Sequence, residues 1–214
     1  VAGARIDGRV ERGNQSRRLV LGRTMEIASV EGLGALSIGR IATELGLSKS
    51  GVFALFGSKE ELQLATVRAA KAVFVAQVAR PADDEPPGTG RVWRVCRSYL
   101  AYSRDRVFPG GCFFTTVSAE FSARSGAVRD AVAEARGEWI DFLRGLLEEA
   151  RRVGQLVGTC DVPQLAFELV ALMEMANADS ALHADDDGYQ RAAVAIRARL
   201  NASATDPGVL PDAP

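Results

Sequence analysis

Apolar positions along this chain recur with the period of an α-helix from Ser16 to about Ala202, and nowhere with the alternation of a strand. The pattern is densest between Ser37 and Leu62. Ile38, Ile41, Ala42 and Leu45 fall at i, i+3, i+4 and i+7, and Val52, Phe53 and Phe56 repeat that spacing after a break at Gly46. Ser37, Ser48 and Ser58 stand where N-caps belong, because a serine hydroxyl accepts from a free amide of a helix's first turn. Gly46 and Gly57 stand where helices stop, and Glu60 and Glu61 supply the negative charge that suits a helix start. Two short helices joined by a tight glycine-containing turn are the sequence form of a helix-turn-helix, whose second helix enters a DNA major groove. An ordinary helical hairpin within an all-α domain shares the pattern.

The remaining chain reads as helices on either side of this unit. Residues 1–15 are Gly- and Arg-rich without periodicity and read as a flexible arm. A first helix from Ser16 to Glu31 has the inner stripe Val20, Thr24, Ile27 and Ala28. After Ser58 a long helix with Leu62, Ala65, Ala69, Ala72 and Val73 inward should end before Pro81, and residues 81–90 form an acidic Pro/Gly loop. A helix from about Arg91 carries Trp93, Cys96, Tyr99 and Leu100. The segment FPGGCFF (108–114) is a turn followed by a short apolar helix. A long amphipathic helix, about 127–153, carries Val128, Val132, Trp139, Phe142, Leu143 and Leu146. Helix 162–182 is apolar on two faces, one with Leu165, Leu169 and Met173, the other with Phe167, Ala171, Leu172, Met175, Ala178 and Leu182. Both faces must be buried, one on its own core and one on something else. A last helix, 188–202, precedes a tail expected to be disordered, 203–214. The predicted fold is all-α, with a DNA-binding unit over 16–62 and a helical body over 63–202.

Against that background the run IATELGLSKSGVFALFGSKEEL (41–62) resembles the DNA-binding signature of the TetR family of transcriptional regulators. Gly32 and Ser37 also stand where that family has its glycine and hydroxyl. The turn GGCF resembles one subgroup of the same family. The resemblance implies about nine helices, a homodimer formed through the last two, and a small-molecule effector held among the middle ones. It departs at two positions. The family usually has a hydroxyl-bearing aromatic where this chain has Phe53, and often a histidine where it has Leu55, so weaker anchoring to the DNA backbone is expected, offset by Arg17, Arg18 and Arg40.

Charge sharpens the picture. The whole chain is nearly neutral at −1, but residues 1–59 carry nine basic against five acidic side chains, +4, and the rest carries 17 against 22, −5. A basic end on an acidic body suits DNA binding through that end. The candidate DNA contacts are Ser37, Arg40, Ser48, Lys49, Ser50, Gly51, Phe53 and Lys59. Hydroxyls and cations reach phosphates and base edges, Gly51 allows close backbone approach, and Lys59 sits at a helix start that favours anions. The candidate pocket residues, on helices expected to converge, are Phe74, Trp93, Tyr99, Phe113, Phe114, Thr116, Trp139, Phe142 and Met173. Glu120 and Asn177 are added because buried polar groups need partners. Such a pocket would suit an apolar or aromatic ligand. The candidate dimer surface is Leu165, Leu169, Leu172, Met175, Leu182, Tyr189, Ala193, Ile196 and Leu200.

Other classes find little support. Three widely spaced cysteines (Cys96, Cys112, Cys160) and one histidine, His183, suggest neither a disulfide framework nor a metal site. No catalytic triad, phosphate loop or cofactor fingerprint is legible, so an enzyme is not expected, nor any cofactor. Charge interrupts the apolar stretches, so no membrane partner is expected and a cytoplasmic location is the default. The expectation is a homodimeric repressor of a palindromic operator on double-stranded DNA, released by a small effector. The alternatives are a regulator without a small effector, or an adaptor of the same fold that has lost DNA binding.

Overall fold

Capping chemistry sets the helix boundaries. The computed structural model describes the backbone of residues 8–208 and residue 210, and side chains from residue 11. Among the described residues there are nine α-helices and no strand: α1 Gly8–Glu31, α2 Ile38–Glu44, α3 Lys49–Phe56, α4 Lys59–Phe74, α5 Thr89–Arg104, α6 Phe113–Phe121, α7 Ala127–Arg152, α8 Val162–His183 and α9 Asp187–Ser203. Ser37, Ser48, Ser58 and Asp161 cap α2, α3, α4 and α8, each side chain accepting from the amide three residues on. Each such cap contributes about 1 kcal/mol. Gly46, at φ +64, lets the chain reverse between α2 and α3 where a side chain would strain the backbone.

α1, α2 and α3 close around Val20, Ile27, Ala28, Leu33, Leu36, Ile41, Ala42, Val52 and Phe56, all buried. Below them α4 packs on α1 and α7, and α5, α7, α8 and α9 build the body. Thr24 and Thr66 are fully buried and bond each other, Thr66 Oγ1 donating at 2.9 Å, which pins α1 to α4. After Phe74 α4 widens into a π turn, Val75–Ala79, and then a 3-10 turn, Arg80–Ala82.

Several sequence expectations are corrected. The first helix begins at Gly8, so residues 8–15 extend α1 instead of forming an arm, and residues 1–7 lie outside the described residues. The described part of the tail folds back: Val157 N donates to Ser203 O, Thr205 N donates to Gln155 O, and Leu210 is buried, while residues 209 and 211–214 lie outside the described residues. The helical run continues through Pro81 to Ala82, which is buried. Ala72 is exposed, and the inner face of α4 runs through Leu62, Thr66, Ala70 and Phe74. Finally, Lys59–Ala82 is long and apolar enough to cross a membrane by length and composition. In this fold that run is instead the strut between the two halves of the molecule.

Candidate functional site

The face of α3 turned away from the core is small, polar and open. Ser48, Lys49, Ser50 and Gly51 are exposed, and Phe53 joins them at 54% exposure. The sequence put Phe53 in the inner stripe, but Val52 and Phe56 fill that role alone. Lys49 forms no hydrogen bond or ion pair among the described residues, so its ammonium is free for an anion. Ser48 is committed to its cap at Gly51 N (3.0 Å), and Ser37 likewise accepts from Arg40 N (3.1 Å).

The other expected cations are occupied. Arg40 forms a two-bond pair with Glu31 (2.7 Å each) and a third bond to Glu44 (2.8 Å). Arg23 bonds Glu44 and Glu26, so five charged side chains bridge α1 and α2 with a net negative charge. Hydrogen bonding to Glu31 and Glu44 holds the Arg40 guanidinium protonated well above its ordinary range, and holds both carboxyls below theirs. Arg17 donates to the Leu55 carbonyl (2.7 Å) and lies over the Phe56 ring, closing the end of α3. Of the three arginines expected to offset Phe53 and Leu55, Arg18 is exposed and pairs with Glu11 at 3.8 Å. Lys59 Nζ donates to Gly34 O (2.7 Å), tying the start of α4 to the turn before α2.

That turn, Leu33–Ala35, is gripped from the body by α6. The Glu120 carboxylate accepts from Leu33 N (2.7 Å) and Gly34 N (2.9 Å), and Gln63 donates to Leu33 O. Thr116 Oγ1 donates to Ser29 O at the end of α1 (2.9 Å). The GGC turn ahead of α6 makes a third attachment, Gly110 N donating to Ser29 Oγ (3.1 Å). A Cβ on Gly110 would stand 1.9 Å from Ser29 O, so only glycine lets the turn lie this close to α1. Gly111, at φ +81, lies beneath Asn177, whose Oδ1 accepts from Cys112 N (3.0 Å) and from Ser103 Oγ.

Behind α6 is a cavity of about 390 Å³. Phe74, Tyr99, Phe114, Trp139 and Phe142 line it, with Val75 and Ala79 contributed by the π turn. π turns are frequent at functional sites, and this one brings two small apolar side chains to the wall. Phe74 meets Tyr99, Phe114 and Trp139 edge to face, and Tyr99 and Trp139 lie nearly parallel (17°) with centroids 6.1 Å apart. The charged lining residues are Lys71, Arg80, Asp83, Arg136, Glu138 and Glu174, with Lys71 paired to Glu138 and Arg136 to Glu174 through two bonds.

Five of the eleven expected pocket residues therefore line the cavity. Trp93, Phe113 and Met173 are core, while Thr116, Glu120 and Asn177 join helices together. Cys112 and the two ion pairs were missed. The carboxylate of Glu174, set between Met173 and Met175 on α8, was the available signal.

The two-faced reading of α8 is clear in the single chain. Leu165, Leu169 and Met173 are fully buried, whereas Phe167, Met175 and Leu182 are 68%, 60% and 80% exposed. Of the expected dimer residues, Leu165, Leu169, Tyr189, Ile196 and Leu200 are claimed by the chain's own core. Leu172 and Ala193 are half-buried, and Val194 on α9 joins the exposed set.

Two family models match the chain: that of bacterial regulatory proteins of the tetR family over residues 20–66, and that of the tetracyclin repressor-like C-terminal domain over residues 88–196. A TetR transcriptional regulator from Chloroflexus aurantiacus has a similar structure, with a TM-score of 0.84 at 21% identity over 91% of this chain and 98% of that one. A TetR-family transcriptional regulator from Streptomyces coelicolor gives 0.75 at 25% identity over 90% and 96%. AibR, solved in complex with isovaleryl coenzyme A and operator DNA, gives 0.63 at 18% identity over 76% and 85%. No curated protein matches the chain.

Proposed function

This chain belongs to the TetR family of DNA-binding transcriptional regulators, and on that premise we propose that it is a cytoplasmic homodimeric repressor released from a palindromic operator by a small apolar or aromatic effector. The observation that carries the reading is the double attachment of α6. Its Phe114 forms part of the cavity wall, while its Thr116 and Glu120 hold the end of α1 and the turn before α2. A ligand that displaces Phe114 therefore acts on the base of the helix-turn-helix. No chemistry is needed, only a difference in ligand affinity between the DNA-competent and released arrangements.

A dimer is supported by the exposed stripe Phe167, Ala171, Met175, Ala178 and Leu182, too apolar and continuous for water. Two recognition helices then read two half-sites about one helical turn or a multiple apart. AibR, crystallised with both an acyl-thioester and its operator, lends the two-ligand scheme a parallel.

Selection from random duplex DNA at two salt concentrations tests the reading. A palindromic motif whose affinity falls steeply with salt, and falls again on adding an aromatic ligand, is the expected result. No enrichment even at low salt would favour an adaptor role, for which Phe53 and Leu55 are the features in hand.

A further inference from the structure

The effector reading above, on which this inference rests, leaves the ligand's class open, and the charges around the cavity narrow it. The lining divides by exposure. Phe74, Tyr99 and Cys112 are buried, whereas Val75, Arg80, Asp83 and Glu138 are exposed where the cavity meets solvent. An apolar body therefore belongs inside and a charge at the mouth, where water still reaches it.

Among the described residues, every charged lining group but one is already matched. Lys71 pairs with Glu138, and Arg136 is held by Glu174 through two bonds. Asp83 pairs at 3.7 Å with Arg91 of α5, which stands outside the lining. The Arg80 guanidinium makes no hydrogen bond or ion pair among the described residues. Asp84 and Glu85, next along the chain, do not line the cavity. The mouth is left with one unmatched positive charge. It stands at the first residue of the 3-10 turn, directly after the π turn that brings Val75 and Ala79 to the wall. Apolar surface and free cation thus come from one short stretch of chain.

We propose that the cavity takes an aromatic molecule bearing a single carboxylate. Its rings lie among Phe74, Phe114, Trp139 and Phe142, and its carboxylate stays at the mouth on Arg80. The planar guanidinium fork matches the two oxygens of a carboxylate. A cationic head meets Arg80 and finds the lining carboxylates already paired, and a neutral head gains nothing from the charge.

The test uses the full chain, Arg80→Ala and Arg80→Glu, with three probes of one shape: naphthoate, naphthamide and naphthylmethylammonium. Binding is read by calorimetry and by tryptophan fluorescence, without DNA, at low and high salt. Naphthoate should bind the unaltered chain about fivefold more tightly than naphthamide, the upper range for a partly exposed ion pair. The cation should bind most weakly. High salt should shrink the preference for naphthoate, because the pair stands at the mouth. Arg80→Ala should erase that preference while naphthamide affinity persists, which shows that the cavity is intact. Arg80→Glu should reverse it. Naphthoate binding no tighter than naphthamide, a preference that survives Arg80→Ala, or no binding by any probe would overturn the proposal. If the ranking holds but ligand leaves DNA affinity unchanged, the ligand class stands and the repressor-release reading alone fails.

Discussion

The recognition end presents a polar surface and the cavity an aromatic one. Around α2 and α3, Arg17, Arg23, Arg40 and Lys59 are each bonded to a carboxylate or carbonyl, and the serines cap helices. The cavity wall instead is formed mainly by the rings of Phe74, Tyr99, Phe114, Trp139 and Phe142. A surface that must present one fixed shape to a duplex benefits from having its side chains already satisfied. A cavity that must take up and release a small molecule benefits from a largely apolar wall. The two regions meet at α6 and the GGC turn, where there is least freedom to move.

The most severe way to break that arrangement is to force the turn off α1. Gly110→Ala puts a Cβ 1.9 Å from the Ser29 carbonyl oxygen, backbone against backbone, with no side chain to give way. It should lower stability by about 3 kcal/mol, near the upper range for overpacking, in chemical denaturation. Gly22→Ala in α1, with nothing within 4 Å of its Cβ, should raise stability by about 0.5 kcal/mol or more. Equal behaviour of the two variants would mean that the turn is not a fixed point.

A smaller effect separates free from occupied cations. Lys49→Ala should weaken operator binding about tenfold and reduce the slope of log affinity against log salt by about one, as loss of one phosphate contact requires. Arg40→Ala should leave that slope unchanged, because its guanidinium is already neutralised by Glu31 and Glu44. A slope change with Arg40→Ala, measured by anisotropy across salt concentrations, would show that the clamp opens on DNA.

These variants also mark where the sequence was readable. The helices were legible because caps and 3.6-residue periodicity are local: Ser37, Ser48 and Ser58 cap as expected, and the two faces of α8 separate into buried and exposed. The pairings of Arg40 with Glu31, Lys59 with Gly34 and Glu120 with Leu33 were not legible, since they reach across 9 to 87 positions of sequence. Aromatic residues at helical spacing located the cavity but could not separate Tyr99, on its wall, from Trp93 and Phe113 in the core. That choice depends on how far each helix is rotated. The start of α1 was missed because the Gly- and Arg-rich sequence of 8–15 has no apolar stripe to reveal a helix.

The link itself can be weakened without disturbing either end. Glu120→Gln keeps the shape but replaces one carboxylate oxygen with an amide, so one of the Leu33 and Gly34 amides loses its acceptor. A cost of about 1 kcal/mol is expected. Ligand affinity should be unchanged, while the ligand-induced fall in operator affinity becomes smaller. Unchanged coupling would mean that the signal passes through α4 instead, past Phe74.

The smallest effect concerns the clamp and pH. Hydrogen bonds from Arg40 hold the Glu31 and Glu44 carboxyls below their ordinary value of 4.5, with Arg23 adding to the effect on Glu44. A carboxyl whose folded pKa is lowered stabilises the fold above its unfolded pKa and loses that contribution as pH falls through the folded value. The melting temperatures of the unaltered chain and Arg40→Ala should therefore differ by a constant small amount at neutral pH, and converge as the pH falls below 4.5 through the lowered folded values. Both carboxylates lie at the surface, where salt screens them, so the gap should also narrow at high ionic strength. Convergence on raising the pH instead would mean that the clamp is not formed in solution, and the recognition end would then hold a free arginine beside Lys49.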